Sequence, residues 1–153
     1  MQNIVVMKEC DDAGIETLVS YWRQPTTDSA LVSALGSVSA RANDRRTYQA
    51  ARAVALDPGR AESARLAALK VLVAAYDRRL AVEFPAATKP MYTTYVGMGR
   101  FSHPPKRKAP QPVGAEARPD VLAVLKQLAA SDPNERMRKV AAELGPLLER
   151  SSP

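Results

Sequence analysis

The side chains best suited to nucleophilic or metal chemistry are few in this sequence. It has one histidine, His103, and one cysteine, Cys10, and they lie far apart along the chain. A zinc site takes about four ligands, and a cysteine nucleophile takes a base beside it. The sequence therefore predicts no catalytic residue, no metal ligand and no cofactor, and we expect a protein that is not an enzyme.

One segment combines aromatic rings and cations at close spacing. The rings are able to stack on nucleic-acid bases, and the cations are able to neutralise phosphates. The same rings can instead hold a loop against the body of the protein, which is the more ordinary use of such residues. The candidate partner-binding residues of this segment are Tyr92, Tyr95, Arg100, Phe101, Lys106, Arg107 and Lys108.

These residues belong to a stretch, residues 85–118, that interrupts the regular part of the sequence. It contains six prolines and three glycines, which break helices. It holds six Lys or Arg residues and one acid, Glu116, a net charge of +5, whereas the rest of the chain holds 16 basic and 15 acidic residues. Structureless connections of this length are usually functional or disordered. We therefore predict a long, basic, proline-rich insert within one domain that covers residues 1–153.

Outside this insert the sequence is typical of helices. Hydrophobic residues make up 46% of the chain and aromatic residues only 5%, so Ala, Leu and Val carry the apolar content. Ala and Leu are strong helix formers, and apolar residues recur at helical spacing in six stretches. The predicted helices cover about 12–23, 28–40, 44–57, 58–79, 119–131 and 133–145.

Several predicted helix ends rest on capping and helix-breaking residues. A short side-chain oxygen accepts hydrogen bonds from first-turn amides, so Asp132 is the expected cap of the sixth helix. The fourth helix is expected to begin near Pro58 or Arg60, because proline suits a first turn. Gly145-Pro146 is expected to kink or end the sixth helix, because proline lacks an N–H and clashes with the preceding turn.

Two of the helices share a sequence pattern. Asp57-Pro58 precedes RLAALKV at residues 65–71, and Asp132-Pro133 precedes RKVAAEL at residues 138–144. A two-helix unit cannot bury its apolar stripe alone, and about three units is near the minimum for a stable stack. The pattern predicts three stacked helix pairs, and an irregular helical bundle without repeats is the alternative.

An Asp-Pro turn followed by Arg, a small residue and Leu or Val resembles the second-helix pattern of the HEAT-repeat family. It is clearest in DPNERMRKVAA at residues 132–142, and the resemblance covers about residues 43–148 apart from the insert. The first helix pair is fitted by spacing alone. The resemblance implies an all-α fold, a short right-handed alpha-alpha superhelix (solenoid) of about three HEAT-like helix pairs, with the irregular loop inserted before the last pair.

This reading predicts a non-catalytic scaffold or adaptor that binds another protein on a surface made from the second helix of each pair. Arg65, Arg138 and Lys139 are the candidate contacts on that surface. A further hypothesis is that the recurrent arginines, Arg65 and Arg138, bond across to the neighbouring turn. Nucleic acid or another polyanion, bound by the insert, is the alternative partner, and a structural or regulatory partner of an enzyme is a third class.

We expect no association with a membrane. No stretch approaches the roughly 18 apolar residues of a span, and residues 1–9 lack the basic start of a signal peptide. With a single cysteine, no internal disulfide is expected, which fits a reducing compartment. We expect a cytoplasmic location by default, although a chain trimmed of an export signal would look the same.

Overall fold

The computed structural model describes residues 11–78 and 111–151. Within these two ranges the regular elements are all helices. The β-type pairing there is limited to one isolated antiparallel bridge between Asp44 and Pro112. This confirms the all-α fold predicted from the sequence. The helices are α1 (Asp12–Arg23), α2 (Ser29–Ala42), α3 (Arg45–Leu56), α4 (Glu62–Tyr76), α5 (Ala117–Ser131) and α6 (Glu135–Ser151). None of these helices combines the length and the apolar character that crossing a bilayer requires.

Each of the first three helices begins at an aspartate whose side chain accepts a hydrogen bond from a backbone N–H of the first turn. Asp11, Asp28 and Asp44 are the N-caps of α1, α2 and α3, and each carboxylate accepts at least one backbone N–H of the helix that follows. Between α2 and α3, Asn43 adopts a left-handed conformation with φ of 50°, which asparagine tolerates better than most residues. These ends follow from local chemistry, and the chain turns sharply from α2 into α3.

Two predicted helix starts differ from the structure. The fourth helix begins at Glu62, because Pro58 lies in a turn in which Asp57 Oδ1 accepts the N–H of Gly59 at 2.9 Å. The cap of α6 is Asn134, whose Oδ1 accepts the N–H of Met137 at 3.1 Å. Asp132 does not cap α6, because it lies two residues before the cap position and its carboxylate accepts the N–H of Asn134 at 2.8 Å.

Helix α6 continues through Gly145-Pro146 to Ser151, so it does not end there, which was one of the two predicted outcomes. A side chain before proline disfavours the helical conformation by clashing with the proline ring, and Gly145 has no such side chain. The carbonyl that loses its bond to Pro146 belongs to the exposed Ala142, where water can reach it. Beyond the proline, the last turn is held by Leu148, which is 0% exposed.

Helix α4 is the centre of the packing. It lies against α2, α3, α5 and α6, while α1 packs on α3 and α5 packs along α6. Ten of its residues are buried, many more than the single apolar stripe that the sequence predicted, because four helices cover it. Ala68 on α4 and Ala141 on α6 are both buried.

The contact between α2 and α4 is close because both helices present small residues there. A Cβ atom placed on Gly36 would lie 3.1 Å from both Cβ and the carbonyl oxygen of Ala67. Contacts this short leave no room for a methyl group without moving one helix. Gly36 weakens α2 because glycine has a low helix propensity. In return, it allows α2 to pack closely against α4.

Candidate functional site

Arg65, one of the predicted partner contacts, is buried. It is 1% exposed, and its Nε and Nη2 donate to the carbonyl oxygen of Ala55 at 3.1 and 2.9 Å. Its Nη1 donates to Oδ1 of Asp132 at 3.0 Å. The expectation that Arg65 projects toward a partner is therefore corrected, since its donors are used inside the protein. The hypothesis that it bonds to a neighbouring turn is confirmed, because Asp132 lies in the turn before α6.

Asp132 joins three parts of this interface. Its carboxylate accepts from Arg65 and from the N–H of Asn134, and its carbonyl oxygen accepts from Nη1 of Arg138. Arg138 thus bonds to the turn of its own helix rather than to a neighbouring one. The hydrogen bonds from Arg65 hold the pKa of the Asp132 carboxyl below its usual value despite burial, which favours the protonated form. This arrangement keeps an ion pair in the interior at neutral pH.

Lys139 is the second-helix candidate that the structure leaves exposed. Its Nζ lies 3.2 Å from the carboxylate of Glu135, one turn earlier on α6, and both side chains are largely in water. Exposed pairs of this kind contribute little to stability. Lys139 is thus exposed, whereas Arg138 is half-buried.

An exposed set of bonds accompanies the buried one between α4 and α6. The carboxylate of Glu62 accepts from Nδ2 of Asn134 at 3.1 Å and from Nη1 of Arg136 at 2.8 Å. These two hydrogen bonds lower the pKa of Glu62, and the one from Asn134 has the larger effect. Because they lie beside the Arg65–Asp132 pair, α4 and the start of α6 are joined both inside the core and at the surface.

A second polar network joins α3 to α5. Asp120 accepts from Nε and Nη2 of Arg52 at 2.9 and 3.0 Å and from the hydroxyl of Tyr48. Burial acts to raise the pKa of Asp120, but the bonds from Arg52 and Tyr48 outweigh it and the pKa is lowered. Burial, with the bond to Asp120, raises the pKa of Tyr48 well above its ordinary value. Tyr48 therefore serves as a hydrogen-bond donor that holds α5 in place.

The seven predicted binding residues of the insert, Tyr92, Tyr95, Arg100, Phe101, Lys106, Arg107 and Lys108, lie outside the described residues. The end of the insert is described, and it runs along the turn between α2 and α3. The N–H of Arg45 donates to the carbonyl oxygen of Gln111 at 2.8 Å, and the N–H of Val113 donates to that of Asn43 at 3.1 Å. The buried carboxylate of Asp44 accepts the N–H of Gln111 at 3.2 Å. Helix α5 then begins at Ala117, slightly before the predicted end of the insert.

A groove of about 400 Å³ lies where residues 78 and 111 approach the helices, and we call it the basic groove. The Arg118 guanidinium lies over the ring of Tyr76, 5.7 Å from its centroid, a favourable cation–π geometry. Nη2 of Arg78 donates to the carbonyl oxygen of Arg41 at 3.2 Å. Within the two described ranges, no salt bridge joins Arg78 or Arg118 to a carboxylate. The basic groove is lined by Asn43, Ala75, Tyr76, Asp77, Arg78, Val113, Gly114, Ala115, Arg118 and Ser151.

A second cavity, the α1–α3 cleft, has a volume of about 450 Å³ and opens to solvent between those two helices. Its charged residues fall into two groups, one near the start of α3 and one at the turn that leads into α4. Nothing in the sequence connects the two groups, because their residues come from three separate stretches of the chain. The cleft is lined by Glu16, Val19, Trp22, Arg23, Arg46, Gln49, Ala50, Ala53, Val54, Asp57 and Arg60.

In the part of the chain that the structure describes, no three His, Cys, Asp or Glu side chains come together as metal ligands would. The polar networks there consist of arginine–carboxylate pairs and capping bonds. Such pairs position helices and bind charged groups. Both cavities are lined by arginines.

The described residues therefore define an all-α protein of packed helices with two polar surface cavities. Compared with protein-family models, with curated proteins and with solved structures, the chain gives no match.

Proposed function

We propose that this chain is a non-catalytic protein-interaction module, built as a short HEAT-like solenoid of three helix pairs. The pairs would be α1 with α2, α3 with α4, and α5 with α6. In support, each second helix contacts the next, α2 with α4 and α4 with α6, and the first helix α1 lies on α3. The bond from Arg65 on α4 to Asp132 in the turn before α6 also fits the hypothesis that a recurrent arginine bonds to a neighbouring turn.

The observation that carries this proposal is a strip of α4 bonded to both of its neighbours. Glu62, Leu66 and Lys70 follow one another at four-residue spacing and so lie along one face of the helix. Nζ of Lys70 donates to Oγ of Ser37 on α2 at 2.8 Å, and Nη1 of Arg136 on α6 donates to Glu62 at 2.8 Å. Because opposite neighbours bond to the same strip, the three helices share one surface.

We call four of these residues, Ser37, Glu62, Leu66 and Arg136, the second-helix surface. Lys70, which bonds to Ser37, is itself buried and is not part of it. Leu66 lies between the two polar bonds, half-buried against the core. An apolar side chain flanked by charged and hydroxyl groups is the usual composition of an interface centre and its rim. This surface is where we place the protein partner.

Affinity capture with matched variants tests this proposal. Leu66→Arg places a charge on the second-helix surface, whereas Leu122→Arg makes the same change at another half-buried leucine, on α5. The full-length chain and both variants would be used to capture proteins from native extract, after their thermal unfolding midpoints had been compared. We expect a partner that the unchanged chain and Leu122→Arg retain and that Leu66→Arg loses. Equal retention by all three would overturn the proposal.

A second candidate function, polyanion binding, is favoured by the position of the charge. Residues 79–110 hold six Lys or Arg residues and one acid, a net charge of +5 out of +6 for the whole chain. The described residue before this stretch, Arg78, lines the basic groove together with Arg118. The described residue after it, Gln111, bonds to the turn between α2 and α3.

Salt-dependent binding tests this second candidate. Fluorescence anisotropy of a labelled single-stranded DNA oligonucleotide would be measured at several salt concentrations. Changing Lys106, Arg107 and Lys108 to Ser should weaken binding and reduce its salt dependence, because fewer counterions are released. Changing Lys126, Lys139 and Arg150 to Ser removes the same charge from exposed helix positions and serves as the control. Binding that is absent at low salt, or equally weakened by both triple variants, would reject polyanion binding through the insert.

A further inference from the structure

We propose that the α1–α3 cleft docks an acidic segment of a protein partner, with Arg23 and Arg60 binding its carboxylates. The inference rests on the proposed function in one respect, that the partner is a protein. It concerns a different surface, formed by the first helices. It is carried by the shape of the cleft and by the uneven pairing of its three arginines.

The shape of the cleft suits an extended or helical segment of another chain. Its floor on α3 is made from Ala50 and the exposed Ala53, whose small side chains allow a backbone to approach closely. Val19 and Trp22 of α1, both buried, form the apolar side. Its volume of about 450 Å³ is enough for a few side chains.

Arg46, at one end of the cleft, is already neutralised. Its guanidinium donates to Asp12 at 2.8 Å, to Asp44 at 3.2 Å and to Glu16 at 3.4 Å. The hydrogen bonds to Asp44 and Asp12 raise the pKa of Arg46 above its ordinary value. Asp12 and Glu16 are exposed, so this end of the cleft is acidic toward an incoming ligand.

The other end of the cleft holds Arg60 and Arg23. The Arg60 guanidinium donates to backbone carbonyls that end α1, those of Trp22, Arg23 and Gln24, the last at 3.0 Å. Among the residues described, no salt bridge joins either arginine to an acid. Asp57 lines the same end and is exposed, so two cations stand against one acid there.

Arginine is the cation best suited to carboxylates, because its planar donors match both oxygens. The carbonyl bonds hold Arg60 in place before a ligand arrives, which lowers the entropy lost on binding. A nucleic acid fits this cleft poorly, because its regularly spaced phosphates would run onto the acids at the Asp12–Glu16 end. A peptide whose acids lie together at one end matches the distribution of charge.

Titration of the isotope-labelled full-length chain, followed by amide NMR, tests the inference. The probe is the peptide acetyl-Glu-Glu-Ala-Ala-amide, and acetyl-Gln-Gln-Ala-Ala-amide is its uncharged counterpart. We expect saturable shifts of the amides of Arg23, Gln49, Ala53 and Arg60 with the Glu peptide and much weaker ones with the Gln peptide. Arg23→Gln should weaken binding roughly tenfold, as expected for losing one charge-assisted hydrogen bond of about 1.5 kcal/mol.

Arg150→Gln is the matched control, because Arg150 is also an exposed arginine in the last turn of a helix, and it should leave binding unchanged. Ala53→Glu, which adds an acid to the floor, should also weaken binding. Shifts that do not saturate, that are equal with both peptides or that persist in Arg23→Gln would overturn the inference. So would an oligothymidine that shifts these amides when the Glu peptide does not, and the cleft would then be assigned to nucleic acid.

The two proposals fail separately. If the Glu peptide does not bind while Leu66→Arg loses a captured protein, the cleft inference is wrong and the second-helix surface stands. If the peptide binds at the cleft while Leu66→Arg retains every captured protein, the reverse holds.

Discussion

The guanidinium of Arg65 on α4 and the carboxylate of Asp132 before α6 form a buried ion pair, with Nη1 3.0 Å from Oδ1. The second contact of the pair, from Nη2 to Oδ2, makes it bidentate, and Ala55 accepts from the same guanidinium. No buried side-chain nitrogen or oxygen in the described ranges lacks a hydrogen-bond partner. This completeness matters, because an interior charge is tolerated only when its donors and acceptors are satisfied.

Breaking this pair from one side should destabilise the protein strongly. Asp132→Asn leaves the Arg65 charge buried without its counter-ion, and removing one partner of such a pair costs about 3–5 kcal/mol. Glu62→Gln is the control, since it breaks the exposed pair with Arg136 at the same interface, where such pairs contribute about 0–1 kcal/mol. Urea unfolding measures both free energies. A loss for Asp132→Asn no larger than that for Glu62→Gln would contradict the role given to the pair.

Stability should decrease in acid because of three carboxyl groups. The pKa values of Asp132, Asp120 and Glu62 are all lowered in the folded chain. A carboxyl group whose pKa is lowered on folding adds stability that is fully present above its unfolded pKa of about 4. That stability is lost as pH falls through the lowered folded value. Urea unfolding from pH 7 downward should show the fall, and Asp132→Asn should make it shallower. A pH-independent free energy of unfolding below pH 5 would contradict this.

The contact of α2 with α4 should not accept a methyl group. Gly36→Ala brings a new Cβ to 3.1 Å from Ala67, and overpacking costs about 1–3 kcal/mol. This is expected to outweigh the roughly 1 kcal/mol that alanine gains over glycine in a helix. The double variant Gly36→Ala with Ala67→Gly removes the contact with Cβ of Ala67 but keeps the one with its carbonyl oxygen. Because a glycine also weakens α4, it should recover at most part of the loss. If thermal unfolding shows Gly36→Ala to be stabilising, the two helices are not as close as described.

The last turn of α6 should contribute to stability although it follows a proline. Leu148 is 0% exposed and its neighbour Leu147 is 46% exposed. Leu148→Ala should therefore cost about 2–5 kcal/mol, whereas Leu147→Ala should stay within about 0.5 kcal/mol. Urea unfolding compares the same substitution at adjacent positions. Equal, small effects would mean that the helix ends at Gly145-Pro146, one of the two outcomes that the sequence predicted.

The candidate sites were predicted less well than the fold. Arg65 was expected to face a partner and is buried, because the pattern that marks it as recurrent does not say on which side the arginine lies. Arg23, Arg46 and Arg60 were not singled out, since each is an ordinary surface arginine in the sequence. The distinction between the paired Arg46 and the other two depends on Asp12 and Glu16, which come from another helix.

By itself the sequence determined that the described chain is helical and about where the first three helices begin. Asp11, Asp28 and Asp44 cap α1 to α3 through bonds to residues two or three positions away, and apolar spacing repeats within each helix. Such interactions are local, so they are readable without a fold. Tertiary structure alone decided that Arg65 reaches Asp132, that four helices bury α4 and that Leu148 holds α6 beyond Pro146. Each of those depends on residues far apart in the chain, whose distance is set only when the helices pack.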